Sequence, residues 1–185
     1  MFFNQAPAVK KNASAAAKPA AGAKPAPAVG GGDAESRAIA AIEKAGGAVR
    51  PLAQNDDRRE VSFYLAGKTI QDAQVAPVAA LKKVVWVHLG KTGITDAGLA
   101  HLKGLTDLEQ LHLENTAITD KGLAHLKGLT KLTYLNLYGT AVTDAGLDHL
   151  KGLKNLRKLY VWQSQVTDAG IAKLKESLPG VTVVK

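Results

Sequence analysis

The sequence predicts an α/β solenoid, a right-handed coil of strand–helix units with a parallel sheet on its concave side and helices on its convex side. Three observations predict it. From Phe63 onward the chain repeats every 24 residues, with units opening at Phe63, Val87, Leu111, Leu135 and Leu159. Each unit carries the same apolar column, which in the second is Val87, Leu89, Ile94, Leu99, Leu102, Leu105 and Leu108; units one, three and four are apolar at the same seven positions. The first two of these alternate, as one face of a strand does, while Leu99 and Leu102 lie three apart, as helix neighbours do. Neither element can bury its apolar side alone. The units must therefore stack, with strands parallel about 4.8 Å apart and right-handed crossovers.

Three regions follow in order. Residues 1–32 are mostly Ala, Pro, Lys and Gly, too poor in large apolar side chains to offset the entropy of ordering, and are expected to form a disordered, semi-stiff tail. Residues 33–62 are expected to form an N-terminal cap. Asp33 is a candidate helix cap before AESRAIAAIEKA, where Ile39 and Ile42 share one face and Gly46 and Gly47 end the run. A strand AVR, a polar turn PLAQNDDRRE and a second alternating strand, VSFYLAG, come next. Residues 63–185 hold the five repeats and a C-terminal cap, which Pro179-Gly180 marks off before Val181 and Val184.

Within the repeats, Thr92, Thr116, Thr140 and Ser164 are placed to bond turn backbone inside the coil. The pairs Thr95–Asp96, Thr119–Asp120, Thr143–Asp144 and Thr167–Asp168 open each helix as a cap with a favourable dipole charge. One carboxylate per unit is too few for a calcium ladder. Gly104, Gly128 and Gly152 stand where each helix ends and are expected to take a left-handed turn.

The pattern LxxLxL, then xxT, then I/V-T-D-x-G-L resembles the leucine-rich repeat family. It is similar to the cysteine-containing subclass found in F-box-type receptors and many bacterial repeat proteins, with Thr or Ser where that subclass has Cys. The resemblance implies a non-enzymatic binding scaffold. It names no partner, since the fold hosts many.

Composition narrows the function. The chain has 185 residues, 46% apolar and 22% charged, with no cysteine, which excludes disulfides, thiolate metal sites and a cysteine nucleophile. No apolar run reaches the roughly 20 residues of a membrane span, and the opening residues lack a signal-peptide pattern. A soluble monomer is expected, with its compartment and any upstream export signal left open. Net charge is 24 − 16 = +8, of which Lys10, Lys11, Lys18 and Lys24 in the tail supply half. The remaining +4 does not mark a nucleic-acid binder.

Strand residues between the buried positions point outward. Counted in the 24-residue frame, the column before each buried pair is Ser62, Trp86, Gln110, Tyr134 and Lys158. The column within the pair is Tyr64, His88, His112, Asn136 and Tyr160, and the next is Ala66, Gly90, Glu114, Tyr138 and Trp162. All four Tyr and both Trp of the chain fall in this set. Amphipathic rings of this kind dominate binding hot spots, and the expected partner surface is Tyr64, Trp86, His88, His112, Glu114, Tyr134, Asn136, Tyr138, Lys158, Tyr160 and Trp162. Its area, about 400 Å², suits a protein loop, a peptide or a glycan better than the roughly 800 Å² per partner of a standard interface. Protein or peptide is the preferred ligand.

Other readings stay open at this point. His88 and His112 in one column, with Glu114, make a candidate metal set. Aromatic platforms also stack glycans and single-stranded bases, although Lys91 and Lys158 against Glu114 give little charge to track phosphates. His101, His125 and His149 beside Lys103, Lys127 and Lys151 read as solvated ladders on the helical side. No glycine-rich phosphate loop and no Ser–His–Asp set is brought together, so no catalytic residue and no cofactor is expected.

Overall fold

The structure, a computed structural model, describes residues 33–185. The expected tail, residues 1–32, and the capping expected of the Asp33 side chain lie outside the described residues. Helix α1 (Asp33–Lys44) opens the described chain, and a sheet of seven strands follows in sequence order. The strands are β1 (Ala48–Pro51), β2 (Arg59–Ser62), β3 (Val84–His88), β4 (Gln110–His112), β5 (Tyr134–Asn136), β6 (Lys158–Tyr160) and β7 (Thr182–Val184). β1 pairs antiparallel with β2, and every later pair is parallel. Between parallel strands the chain crosses over through α2 (Asp72–Val75), α3 (Asp96–Leu99), α4 (Asp120–Leu123) and α5 (Asp144–Leu147), each one turn long and continued by a 3-10 turn. The last crossover is the longer α6 (Asp168–Ser177).

The core lies between sheet and helices. Val87, Leu89, Ile94, Leu99, Leu102 and Leu108 are all fully buried, and their equivalents in the third and fourth units repeat the pattern. Each such side chain stabilises the coil by about 1.5–3 kcal/mol of transfer free energy. Short helices suffice because each is packed against its neighbour above and below rather than standing on its own propensity.

Register corrects the sequence reading in the first unit. Val61 stands opposite Val87 and Ser62 opposite His88, and the Phe63 N–H donates to the His88 carbonyl as the Leu89 N–H does to His112. The first unit therefore opens at Val61, two residues before the expected start, and the strand ends at Ser62 rather than running on to Gly67. From Ile70 the 24-residue spacing holds, since the Gly93 N–H donates to the Ile70 carbonyl as the Ala117 N–H does to Ile94. Two extra residues are thus accommodated between Phe63 and Ile70, in a loop that includes the 3-10 turn Gly67–Thr69. Leu65, a core position in the strict 24-residue frame, is 91% exposed, while Val61 and Phe63 fill the core.

The helix-entry motif does more than cap. Thr95, Thr119 and Thr143 accept a hydrogen bond from the N–H two residues on, as expected of a cap. In addition, the Asp96 carboxylate accepts from both the N–H and the hydroxyl of Thr119, one unit later, at 2.8 and 2.6 Å. Asp72, Asp120 and Asp144 hold Thr95, Thr143 and Thr167 in the same way. A Cβ on Gly98, Gly122, Gly146 or Gly170 would collide with the carboxylate of the preceding unit. T-D-x-G is therefore an inter-repeat clasp: Thr and Asp make the bonds, and Gly clears the space.

Gly104, Gly128 and Gly152 are not left-handed, contrary to expectation. The left-handed position of the coil comes earlier, just after each strand, at Lys91, Asn115, Gly139 and Gln163, with φ of 62°, 55°, 65° and 55°. Gly46, at φ 90°, does end α1 as expected. Thr92, Thr116, Thr140 and Ser164 donate to the carbonyls of Leu89, Leu113, Leu137 and Val161 at 2.5–2.7 Å, the turn-bonding role read from the sequence.

Both ends of the apolar column are covered. Ile42 of α1 is fully buried and Ala38 nearly so. Glu35 accepts from the Lys82 N–H at 3.1 Å and lies 3.5 Å from the Arg59 guanidinium, which ties the helix to the first unit. At the other end Leu174, Leu178 and Val181 close the core and β7 adds a strand beside β6.

Candidate functional site: the outer face of the sheet

Strand alternation sends Val87, Leu111, Leu135 and Leu159 inward and places their neighbours on the opposite face. The register arranges that face in columns. One holds Glu60, Trp86, Gln110, Tyr134, Lys158 and Thr182, and the next holds Ser62, His88, His112, Asn136, Tyr160 and Val184. The third is Gly90, Glu114, Tyr138 and Trp162, with Tyr64 one residue beyond Phe63 at its head.

Ten of the eleven residues expected on the partner surface take the columns assigned to them. Tyr64 does not: it moves from the middle column to the third, Ser62 moves from the first to the middle, and Glu60, which the sequence reading missed, heads the first. The two-residue insertion causes all three changes. The signal that could have found it was Val61, an apolar residue two before Phe63, as Val87 is two before Leu89.

The rings touch in two runs. His88 and His112 stack face to face, centroids 4.1 Å apart and planes 11° apart; His112 meets Tyr134 at 4.7 Å, and Tyr134 meets Tyr160 at 5.4 Å. Tyr138 and Trp162 stack at 5.5 Å in the third column. Trp162 is 56% exposed and Tyr64 44%, while the other rings on the face are half-buried. Lys91 donates to the Tyr64 hydroxyl at 3.2 Å and sits 5.2 Å from the centre of its ring, which holds the ammonium above its usual pKa.

Charge on the face is balanced. Glu60 and Glu114 stand against Lys91 and Lys158, with Glu60 only 3.7 Å from His88 Nε2 and Glu114 3.6 Å from His112 Nδ1. Burial lowers the His88 pKa, and the His112 ring beside it adds to the effect. Burial pushes the Glu114 carboxyl up, but the facing imidazoles and its own backbone N–H together outweigh it, so Glu114 titrates below the ordinary carboxyl range. Burial raises the Tyr134 phenol.

The candidate metal set does not converge. Imidazole ligates through in-plane nitrogens about 2.0–2.1 Å from the ion, and two face-to-face rings direct those nitrogens along parallel planes. Among the described residues no group of three His, Cys, Asp or Glu side chains is arranged to hold a metal.

The repeats match the family model for the Leucine Rich repeat over residues 104–126 and 128–150. Over that stretch the chain carries leucine-rich repeats. Solved structures similar to it include internalin C2 of Listeria monocytogenes, 30% identical, where the match covers 59% of this chain and 46% of that one at a TM-score of 0.44. Internalin F of the same organism is 23% identical over 60% of this chain and 37% of its own, with a TM-score of 0.43. A leucine-rich-repeat protein of Leptospira interrogans is 22% identical over 60% and 27%, with a TM-score of 0.47. The match thus spans less than half the length of each. No protein of curated function matches the sequence. No helix among the described residues is long and apolar enough to cross a membrane.

Proposed function

We propose that this leucine-rich-repeat chain is a non-enzymatic scaffold that takes a protein or peptide ligand on the outer face of its sheet. The observation that carries the reading is the placement of every Tyr and Trp of the chain on that one face, where Tyr134 and Tyr160 continue the histidine pair in one run of touching rings and Tyr138 and Trp162 stack in another. Rings already in contact lose little freedom when a ligand covers them, so their area contributes fully to binding. The balanced charge favours an uncharged or mixed surface over a polyanion. The hydroxyls of Thr92, Thr116 and Thr140, in the turns after the strands, are buried and committed to main-chain carbonyls, which fits a structural role for them rather than that of nucleophiles.

The test uses the full chain as bait in cell extract, identifies the captured protein by mass spectrometry and measures its affinity once purified. A Tyr138→Ala, Trp162→Ala double variant is expected to bind at least about 30-fold more weakly, the loss of one hot spot. Equal affinity for both baits contradicts the proposal.

A further inference from the structure

Glu60 of β2, His88 of β3, His112 of β4 and Glu114, two residues beyond the end of β4, form one line. The two end contacts, 3.7 and 3.6 Å, are too long for hydrogen bonds, yet within ion-pair reach once an imidazole is protonated. All four side chains are mostly buried, at 28%, 27%, 18% and 16% relative exposure. Glu114 Oε2 is shielded from solvent and has no hydrogen-bond donor, while the rest of that carboxylate leans into the space left by the missing side chain of Gly90. A buried carboxylate oxygen without a donor is costly, and the nearest group able to supply a proton is His112 Nδ1.

With both rings neutral, the two carboxylates have no counter-charge within the line. With both rings protonated, two positive charges lie 4.1 Å apart in a half-buried stack and repel. One proton relieves the first problem without creating the second. We propose that Glu60, His88, His112 and Glu114 bind a single proton as one unit, and that this proton sets the charge of the centre of the sheet's outer face. Its consequence for a ligand rests on the binding reading of that face; the proton site itself does not.

The groups around the line allow this. From β5, Tyr134 lays its ring on His112, and Asn136, level with His112, is uncharged. From β2, Ser62 is level with His88. Lys91, in the turn after β3, is tied to Tyr64, and Lys158 and Tyr160 of β6 lie beyond Tyr134. The depressed pKa of Glu114 keeps its carboxylate ionised while the imidazoles titrate, and that of His88, lowered first by burial and then by the His112 ring, fits a half-buried pair that resists a second charge. The line therefore passes from two negative charges to one, and reaches neutrality only at lower pH.

The experiment is an NMR pH titration of the imidazole signals of the full chain, with His88→Asn, His112→Asn and Glu114→Gln variants. The His88 and His112 signals are expected to move together in two separate steps. In His112→Asn the His88 signal should collapse to one step at higher pH, and in Glu114→Gln the His112 step should move to lower pH. Unshifted His101, His125 and His149 signals report that each variant is folded. Two independent single-step curves, indifferent to loss of the neighbouring ring, overturn the proton site whatever the face binds. Coupled titration alongside capture of the purified partner that does not vary between pH 5 and 8 overturns only the consequence for binding.

Discussion

Gly122 and Gly104 share a residue type and differ in purpose, and the difference is measurable. A Cβ on Gly122 meets the Asp96 carboxylate that holds Thr119, so Gly122→Ala must displace the clasp and is expected to cost about 1–3 kcal/mol by chemical denaturation. A Cβ on Gly104 meets nothing within 4 Å, its φ is not left-handed, and Gly104→Ala is expected to be neutral or stabilising by up to about 1 kcal/mol. Equal losses at both sites would contradict the assignment of the clasp. The sequence showed both glycines recurring but not which one lies beneath a neighbour's carboxylate, because the bond runs from one repeat to the next. The left-handed turn was hidden for a related reason: Lys91, Asn115 and Gln163 adopt it without being glycine, so residue identity marks it only at Gly139.

At the scale of the element, each helix is a single turn that depends on its neighbours. Removing the clasp at one joint by Asp96→Ala leaves the Thr119 N–H and hydroxyl without their acceptor and is expected to destabilise by about 1–3 kcal/mol, with local amide exchange faster in α4 than in α1. Strand and helix positions from Val87 onward were legible because seven apolar positions recur with one period. The first unit was placed two residues late because periodicity extrapolated from later units steps over an insertion; Val61, two before Phe63, was the one sequence signal, and its pairing with Val87 fixes the register. The insertion leaves Leu65 exposed, so Leu65→Asp should leave stability within about 0.5 kcal/mol, where burial in the core would cost several times that.

For the whole molecule, the solenoid makes one continuous core closed by α1 and β7, and its outer face carries the ionisable cluster. His88 has its pKa lowered from 6.5 on folding, so the unfolded chain binds more protons there, and stability is lost as pH falls below 6.5 towards the folded value. Glu114 is lowered from 4.5 and adds a second loss of the same sign as pH falls below 4.5. Thermal melts from pH 8 down to pH 4 should therefore show a declining Tm, and His88→Asn should remove the upper part of the decline. Which rings share the face was legible in the sequence, since alternation and period place them. How they pair was not, because the stacking of His88 on His112 depends on strand register and side-chain rotamers. The placement of a ligand on this face is tested most directly by hydroxyl-radical footprinting of the full chain with and without its purified partner. Reduced labelling of Trp162, Tyr138 and Tyr64 in the complex is the predicted result; unchanged labelling of those rings, with protection confined to the helices, would contradict it.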